Sequence, residues 1–271
     1  MSHIHFIGSG QMSEAMIRAI IKHKTASASD ITAYDIRPER EKELHDNYGI
    51  TTFAKPKKNI ETLQKADIVV IGVRPQDDLK AVTADIAQNA KEKALIVSIV
   101  AGVTLAQFED LLGKERAIAR IIPNTLTDTG LGYSGVVINN QADKALTEKF
   151  VSGFGKCLFL EESLIDIFTG FGVCGPNYVY YFIEALVDAG VLAGLPRDIA
   201  WETTMENLVG SVKMLEISGK HPRQLLDINN SPAGVGMNSL FALNQSDFTA
   251  GLQKSVLAAV KRTTELGQKK D

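Results

Sequence analysis

The stretch Ile4-His5-Phe6-Ile7-Gly8-Ser9-Gly10-Gln11-Met12-Ser13 decides the fold. Ile4 to Ile7 is a short β-branched and aromatic run of the kind that fills a buried strand. Two spaced glycines follow at once, and an amphipathic stretch from Ser13 to Lys24 reads as a helix. Strand, glycine turn and helix in that order form the dinucleotide-binding fingerprint of a Rossmann βαβ unit. Gly8 permits the tight turn, and Gly10 lets the backbone approach a diphosphate resting on free N–H groups at the helix start. Gly8, Ser9, Gly10, Gln11 and Met12 are therefore candidate coenzyme-binding residues. Ser13, a small residue, stands where the third glycine of the pattern is usual.

Working outward, the next apolar run, Ile31–Tyr34, ends at Asp35. An acid there hydrogen-bonds the adenosine ribose and favours NAD. Arg37 and Arg40 follow, and such cations could instead hold the 2′-phosphate of NADP. Both coenzymes stay open, with the two cations tilting the reading to NADP.

Further apolar runs come at Ile68–Val73, Leu95–Val100, Ala117–Ile121, Gly135–Ile138 and Cys157–Leu160. Helical stretches lie between them at Arg37–Tyr48 and Pro75–Asn89. This alternation predicts a doubly wound parallel sheet of α/β class. After about residue 161 the texture turns helical. Tyr178, Phe182, Ala185, Leu186, Ala189 and Ala193 recur at helix spacing, with Pro176 in the first turn and Gly194 and Pro196 at the end. Two more helices are expected, from Asp198 to Ser218 and from an Asp247 cap to Leu266. The expected division is residues 1–160 as an NAD(P)-binding domain and 161–271 as an all-α domain.

Composition narrows the function classes. The chain has 271 residues, 45% hydrophobic and 23% charged, as a globular protein does, and a formal net charge of −3. That balance offers no basic footprint for nucleic acid. Cys157 and Cys174 form no C-x-x-C pair and the five histidines are scattered, so neither a disulfide framework nor a metal site is expected. No apolar run is long enough to span a bilayer, and no secretory signal precedes Ile4. A cytoplasmic enzyme is the expectation.

Several segments, in register, resemble the pyrroline-5-carboxylate reductase family. Val73-Arg74-Pro75-Gln76 looks like its V-K-P-Q, with Arg for Lys. Ser98-Ile99-Val100-Ala101-Gly102 is similar to S-I-x-A-G. Arg120-Ile121-Ile122-Pro123-Asn124-Thr125 resembles R-x-M-P-N-T, and Cys174-Gly175-Pro176-Asn177-Tyr178-Val179 the tail of S-G-S-G-P-A-Y-V. Gly194-Leu195-Pro196-Arg197 also matches. The resemblance implies that Val73, Arg74, Pro75, Ala101, Gly102 and Asn124 line the coenzyme. It implies a C-terminal dimerisation domain, hence a homodimer or larger homo-oligomer, and hydride transfer from NAD(P)H to the C=N carbon of a cyclic imino acid, giving proline.

The substrate turn departs from the family. Where the pattern is S-P-G-G-T-T, this chain has Ser231-Pro232-Ala233-Gly234-Val235-Gly236, preceded by Asn229 and Asn230 in place of V-T. The resemblance makes Ser231, Gly234, Val235 and Gly236 the residues that cradle the substrate carboxylate, with two hydroxyls lost. Three readings follow: a reductase of 1-pyrroline-5-carboxylate, a reductase of another cyclic imine, and a non-catalytic NAD(P)-binding regulatory protein. No lysine lies between Lys156 and Lys213, which disfavours the β-hydroxy-acid dehydrogenases, whose inter-domain helix carries a catalytic lysine.

Overall fold

The computed structural model describes residues 2–74 and 77–267. Contacts divide it into two compact units, one of residues up to Cys174 together with the chain from Ala258 on, the other Gly175–Leu257.

The first unit is built on eight strands: β1 Ile4–Ile7, β2 Ile31–Tyr34, β3 Thr51–Phe53, β4 Ile68–Ile71, β5 Leu95–Ser98, β6 Ala117–Ile122, β7 Tyr133–Ile138 and β8 Lys156–Phe159. They lie in one sheet in the order β3-β2-β1-β4-β5-β6-β7-β8. Six helices join them: α1 Gln11–Lys22, α2 Pro38–Tyr48, α3 Pro56–Leu63, α4 Leu79–Asn89, α5 Leu105–Leu112 and α6 Lys144–Val151. The order reverses direction on either side of β1, which makes the carboxyl ends of β1 and β4 a topological switch point, the place where open α/β sheets bind ligands.

Strand alternation distributes the core. Ile4 and Phe6 of β1 pack on one face with Met16, Ile17 and Ile20 of α1. Ile7 turns to the other face with Val69, Ile71, Ile86 and Phe108. Each such fully buried side chain contributes on the order of 2 kcal/mol. His5 lies on the face of Ile7, fully buried between Thr32 Oγ1 (2.9 Å) and Asn59 Oδ1 (2.8 Å).

The sheet is mostly parallel, as expected, but β7 runs antiparallel to β6. Between them residues 123–132 hold only a 3₁₀ turn, and a parallel return needs a crossover of a dozen residues or more. α6 supplies such a crossover, and β8 is parallel to β7. β4 and β5 also stop two residues earlier than the apolar runs suggest. The Gly72 N–H donates to the Ile7 carbonyl, and Ser98 Oγ accepts the Val100 N–H, so both chains turn there. α4 starts at Leu79 rather than Pro75, capped by Asp78, which accepts the Ala81 N–H at 3.0 Å. Pro75 and Gln76 lie outside the described residues.

Helical texture begins near residue 161, yet its first turns belong with the sheet. α7, Ile165–Phe168, is followed by a π-helical turn at Thr169–Val173. Ile165 is buried with Ile122 and Val137. Arg120 of β6 pairs with Glu162 at 2.6 Å, and the Leu105 N–H donates to the same carboxylate.

The second unit comprises α8 Gly175–Leu192, α9 Arg197–Ser218, α10 Pro222–Asn229, α11 Val235–Asn244 and the first half of α12 Phe248–Gly267. α8 packs along α9. Gly219, in the left-handed region, ends α9 as expected.

Candidate active site

The turn after β1 is assembled by contacts that the residue types dictate. Gly8 has φ +85°, and a Cβ there would sit 2.8 Å from the backbone carbon of Gly72. Only glycine allows the β1 and β4 ends to approach so closely. Ser13 Oγ donates to the Gly8 carbonyl at 2.8 Å and closes the turn from the helix side. A Cβ on Gly72 would overlap that hydroxyl. Gly72 thus supplies the close packing that the third glycine of the fingerprint usually supplies, and Ser13 fits because of it. Sequence reading missed Gly72, because its partner is distant in the chain.

At Gly10 the chain is extended, and a Cβ there would meet nothing within 4 Å. Gly10 is the N-cap of α1, and no side chain caps that helix. The first amides of α1 therefore face open space at the switch point. Uncapped amides on the positive end of a helix dipole suit a diphosphate, so the residues present fit a dinucleotide.

The end of β2 carries the charged part of the site. Asp35 is 8% exposed. Its Oδ2 accepts the Ser9 N–H (3.0 Å) and hydroxyl (3.1 Å), and its Oδ1 accepts the backbone N–H and Nε of Arg37 at 3.1 and 3.0 Å. Burial alone would raise this carboxyl, but the bonds from Arg37 and Ser9 outweigh it and hold it below the usual carboxylate range. Arg40 is buried. Its Nε and Nη2 donate to the Ser9 carbonyl, Nη2 also to Glu14 at 2.7 Å, and Nη1 to Glu43. Arg40 therefore braces the glycine turn from behind.

Val73 is half-buried and Arg74 exposed on the turn after β4, where Arg74 pairs with Asp77 at 2.9 Å. Ala101 and Gly102 form the turn after β5. Asn124, after β6, is buried and fully engaged. Its Nδ2 donates to the Gly172 carbonyl of the π-helical turn at 2.7 Å, and its Oδ1 accepts the Leu126 N–H at 2.8 Å. These residues share the carboxyl ends of neighbouring parallel strands with Gly8–Met12 and Asp35.

In the second unit, Ser231 and Pro232 form the turn between α10 and α11, and Gly234 is the N-cap of α11. The Gly234 N–H donates to the Ser231 carbonyl at 3.0 Å. Ala233 has φ +58°, a left-handed conformation where the family pattern has glycine. Val235 is 90% exposed. A Cβ on Gly236 would overlap Oδ1 of Asn230. The amide of Asn230 thus fills the room a side chain at position 236 would take, so the two departures compensate each other. No side chain caps α11, and its first amides can receive a carboxylate.

Comparison with known proteins agrees with this geometry. Residues 162–266 match a family model described as pyrroline-5-carboxylate reductase dimerisation, and residues 3–102 one described as NADP oxidoreductase, coenzyme F420-dependent. Pyrroline-5-carboxylate reductase of Arabidopsis thaliana is 32% identical over 268 residues, 98% of this chain and 95% of that protein. The Escherichia coli K12 enzyme of the same name is 32% identical over 98% of both chains. The crystal structure of Plasmodium falciparum pyrroline carboxylate reductase with NADP bound superposes with a TM-score of 0.85, at 27% identity and 98% coverage of both chains.

Proposed function

This chain belongs to the pyrroline-5-carboxylate reductase family, and from that membership we propose that it reduces the C=N bond of 1-pyrroline-5-carboxylate to L-proline. The coenzyme, NAD(P)H, supplies a hydride to the imine carbon when bound. The C=N electron pair passes to a nitrogen that is already protonated, so the site needs no strong acid. The work left to the protein is holding and orientation. Amides at Gly10, Gln11 and Met12 hold the diphosphate, and Gly8 and Ser9 shape the turn that presents them, their own N–H groups bonded to the Tyr34 carbonyl and to Asp35. Asp35 holds the adenosine ribose, with Arg37 paired to its carboxylate, and Val73, Arg74, Ala101, Gly102 and Asn124 line the coenzyme. Ser231, Gly234, Val235 and Gly236 hold the substrate carboxylate.

The observation that carries this reading is the uncapped start of α1 beside the open space at Gly10. We assign residues 1–160 to coenzyme binding and 161–271 to substrate binding and dimerisation. A homodimer is supported by the second unit's surface. Among its described residues only Pro176, Val187, Ala200 and Thr204 are buried, while Tyr181, Leu192 and Ile217 stand exposed. Both cysteines are free, which suits a reducing cytoplasm. Among the described residues, no helix is long and apolar enough to cross a membrane.

The test is oxidation of NADH and NADPH by purified protein with 1-pyrroline-5-carboxylate, with proline measured as product. The expected result is proline formed in step with coenzyme oxidation. Turnover of a six-membered cyclic imino acid but not the five-membered one would favour the second reading, which the loss of the turn's two hydroxyls motivates. Absence of turnover with both would sink the reductase reading.

A further inference from the structure

The reductase reading leaves the reductant as either NADH or NADPH, and the charges around β2 distinguish them. We propose that Asp35 selects NADH and rejects NADPH, so that the unphosphorylated coenzyme is the reductant this chain uses. The inference rests on the dinucleotide reading of the β1–α1 turn and specifies its ligand.

The two coenzymes differ at one place, the adenosine 2′ position, where NADH presents a hydroxyl and NADPH a phosphate dianion. The carboxylate of Asp35 stands at the end of β2, where that position is read in this fold. Two bonds from Ser9 of the glycine turn fix it in place. A ribose hydroxyl can donate to it. A phosphate dianion has no proton to donate and would meet a buried negative charge, and like charges brought together cost several-fold to many-fold in affinity.

NADPH would need cations to offset that repulsion, and the chain offers two near the turn. Arg40 is not available. Its guanidinium is committed to the Ser9 carbonyl and to two carboxylates, Glu14 and Glu43. Moving it would leave the Glu14 carboxylate, itself half-buried, without its ion pair. Arg37 is half exposed and already matched against Asp35. Its swing outward would free Oδ1 for a ribose hydroxyl. Its swing onto a 2′-phosphate would strip Asp35 of its counterion beside a dianion. Across the switch point Arg74 is likewise paired, with Asp77, whose charge acts against that of Asp35. The carboxylates Asp35, Glu14 and Glu43 thus outnumber the guanidiniums of Arg37 and Arg40. Sequence reading gave weight to the two arginines because their partners cannot be seen in the chain.

The test is calorimetric titration of the coenzyme-free protein with NADH and with NADPH. The expected outcome is tighter binding of NADH by at least about tenfold. Asp35→Asn keeps the shape and an acceptor for the Ser9 N–H, and should shrink that ratio by at least about tenfold, chiefly by tightening NADPH. Arg37→Ala should weaken NADPH no more than it weakens NADH. Equal or tighter binding of NADPH by the unaltered protein overturns the proposal without reference to any variant. So does an unchanged ratio in a folded Asp35→Asn protein, or a selective loss of NADPH affinity in Arg37→Ala. If neither coenzyme binds, this proposal and the reductase reading fall together. If NADH binds more tightly but no cyclic imino acid is reduced, only the reductase reading falls.

Discussion

Two glycines separated by one residue do different jobs, and substitution distinguishes them. At Gly8 the backbone is left-handed and a Cβ would press on the Gly72 backbone. Gly8→Ala should therefore destabilise the fold by at least about 2 kcal/mol and lower Tm by roughly 4 °C or more. At Gly10 the backbone is extended and the space empty, so Gly10→Ala should keep Tm within about 2 °C. Its methyl group would enter the space that the proposed function assigns to the diphosphate, and coenzyme Kd should rise by at least about tenfold. Thermal melting alongside coenzyme titration reads both, and a Gly10→Ala protein with unchanged Kd would remove the diphosphate from this turn. A buried histidine sets a further residue-scale expectation. Desolvation pushes His5 down to about 4, so the folded protein holds it neutral. Its contribution is complete above the ordinary histidine value and is lost as pH falls through the folded value. Unfolding in urea across a pH series should show on the order of 2 kcal/mol lost between pH 7 and pH 4.5. His3, also lowered by burial, adds to the same slope. A His5→Leu protein should show a shallower slope, and an identical slope would assign the effect elsewhere.

At the scale of elements, the α10–α11 turn is a case of two changes that make sense only together. Asn230 occupies the space above Gly236. Gly236→Thr alone, though it restores the family's residue, should drive Oδ1 of Asn230 out and cost about 1–3 kcal/mol in stability. Asn230→Thr made with it should recover at least about 1 kcal/mol, because residues in contact are non-additive. A double-mutant cycle on urea midpoints measures this, and strict additivity would show that the two positions do not share the space. The same pair explains what could be read in advance. β1, β2, α1, α2, α8, α9 and α12 were legible, because long periodic runs and their flanking glycines and prolines are local signals. β3 was not, since Thr51–Phe53 is too short to show a period. α3, with only Ile60 and Leu63 apolar among Pro56–Leu63, shows little stripe. α5 did carry a signal that went unread: Thr104 and Gln107 form a capping box. The reversal of β7 is topological, decided by a missing crossover helix rather than by the strand's own residues. In the candidate site, the glycine turn and Asp35 stand out in the sequence as residue types at fixed offsets. Gly72, the occupation of Arg40 and the exchange between Asn230 and Gly236 were not, because each depends on a partner seen only in space.

For the whole molecule, the two units stand on different physical footings. The sheet unit has buried clusters on both faces, with Phe6, Phe108 and Phe154 fully enclosed. The helical unit has almost no interior of its own, and Val209, Val212, Met214 and Ile217 on α9 are more than half exposed. Apolar surface on that scale destabilises a lone chain in water, and burial against a second copy removes it at about 25 cal/mol per Å². Interfaces of obligate dimers span roughly 2,000–5,000 Å² and resemble a domain core divided in two. Stability should then depend on protein concentration, because association and folding of the helical unit are linked. Sedimentation at micromolar concentration should find a dimer or a larger assembly, and Tm should rise with concentration. Ile217→Glu, which puts a charge on the most exposed of these four residues, should raise the dissociation constant by at least about 100-fold and remove the dependence of Tm on concentration. Lys80→Glu on exposed α4 should change neither. A wild-type protein that sediments as a monomer with the same Tm at all concentrations would mean that the helices are stable with this face in water, contrary to the cost of exposing it.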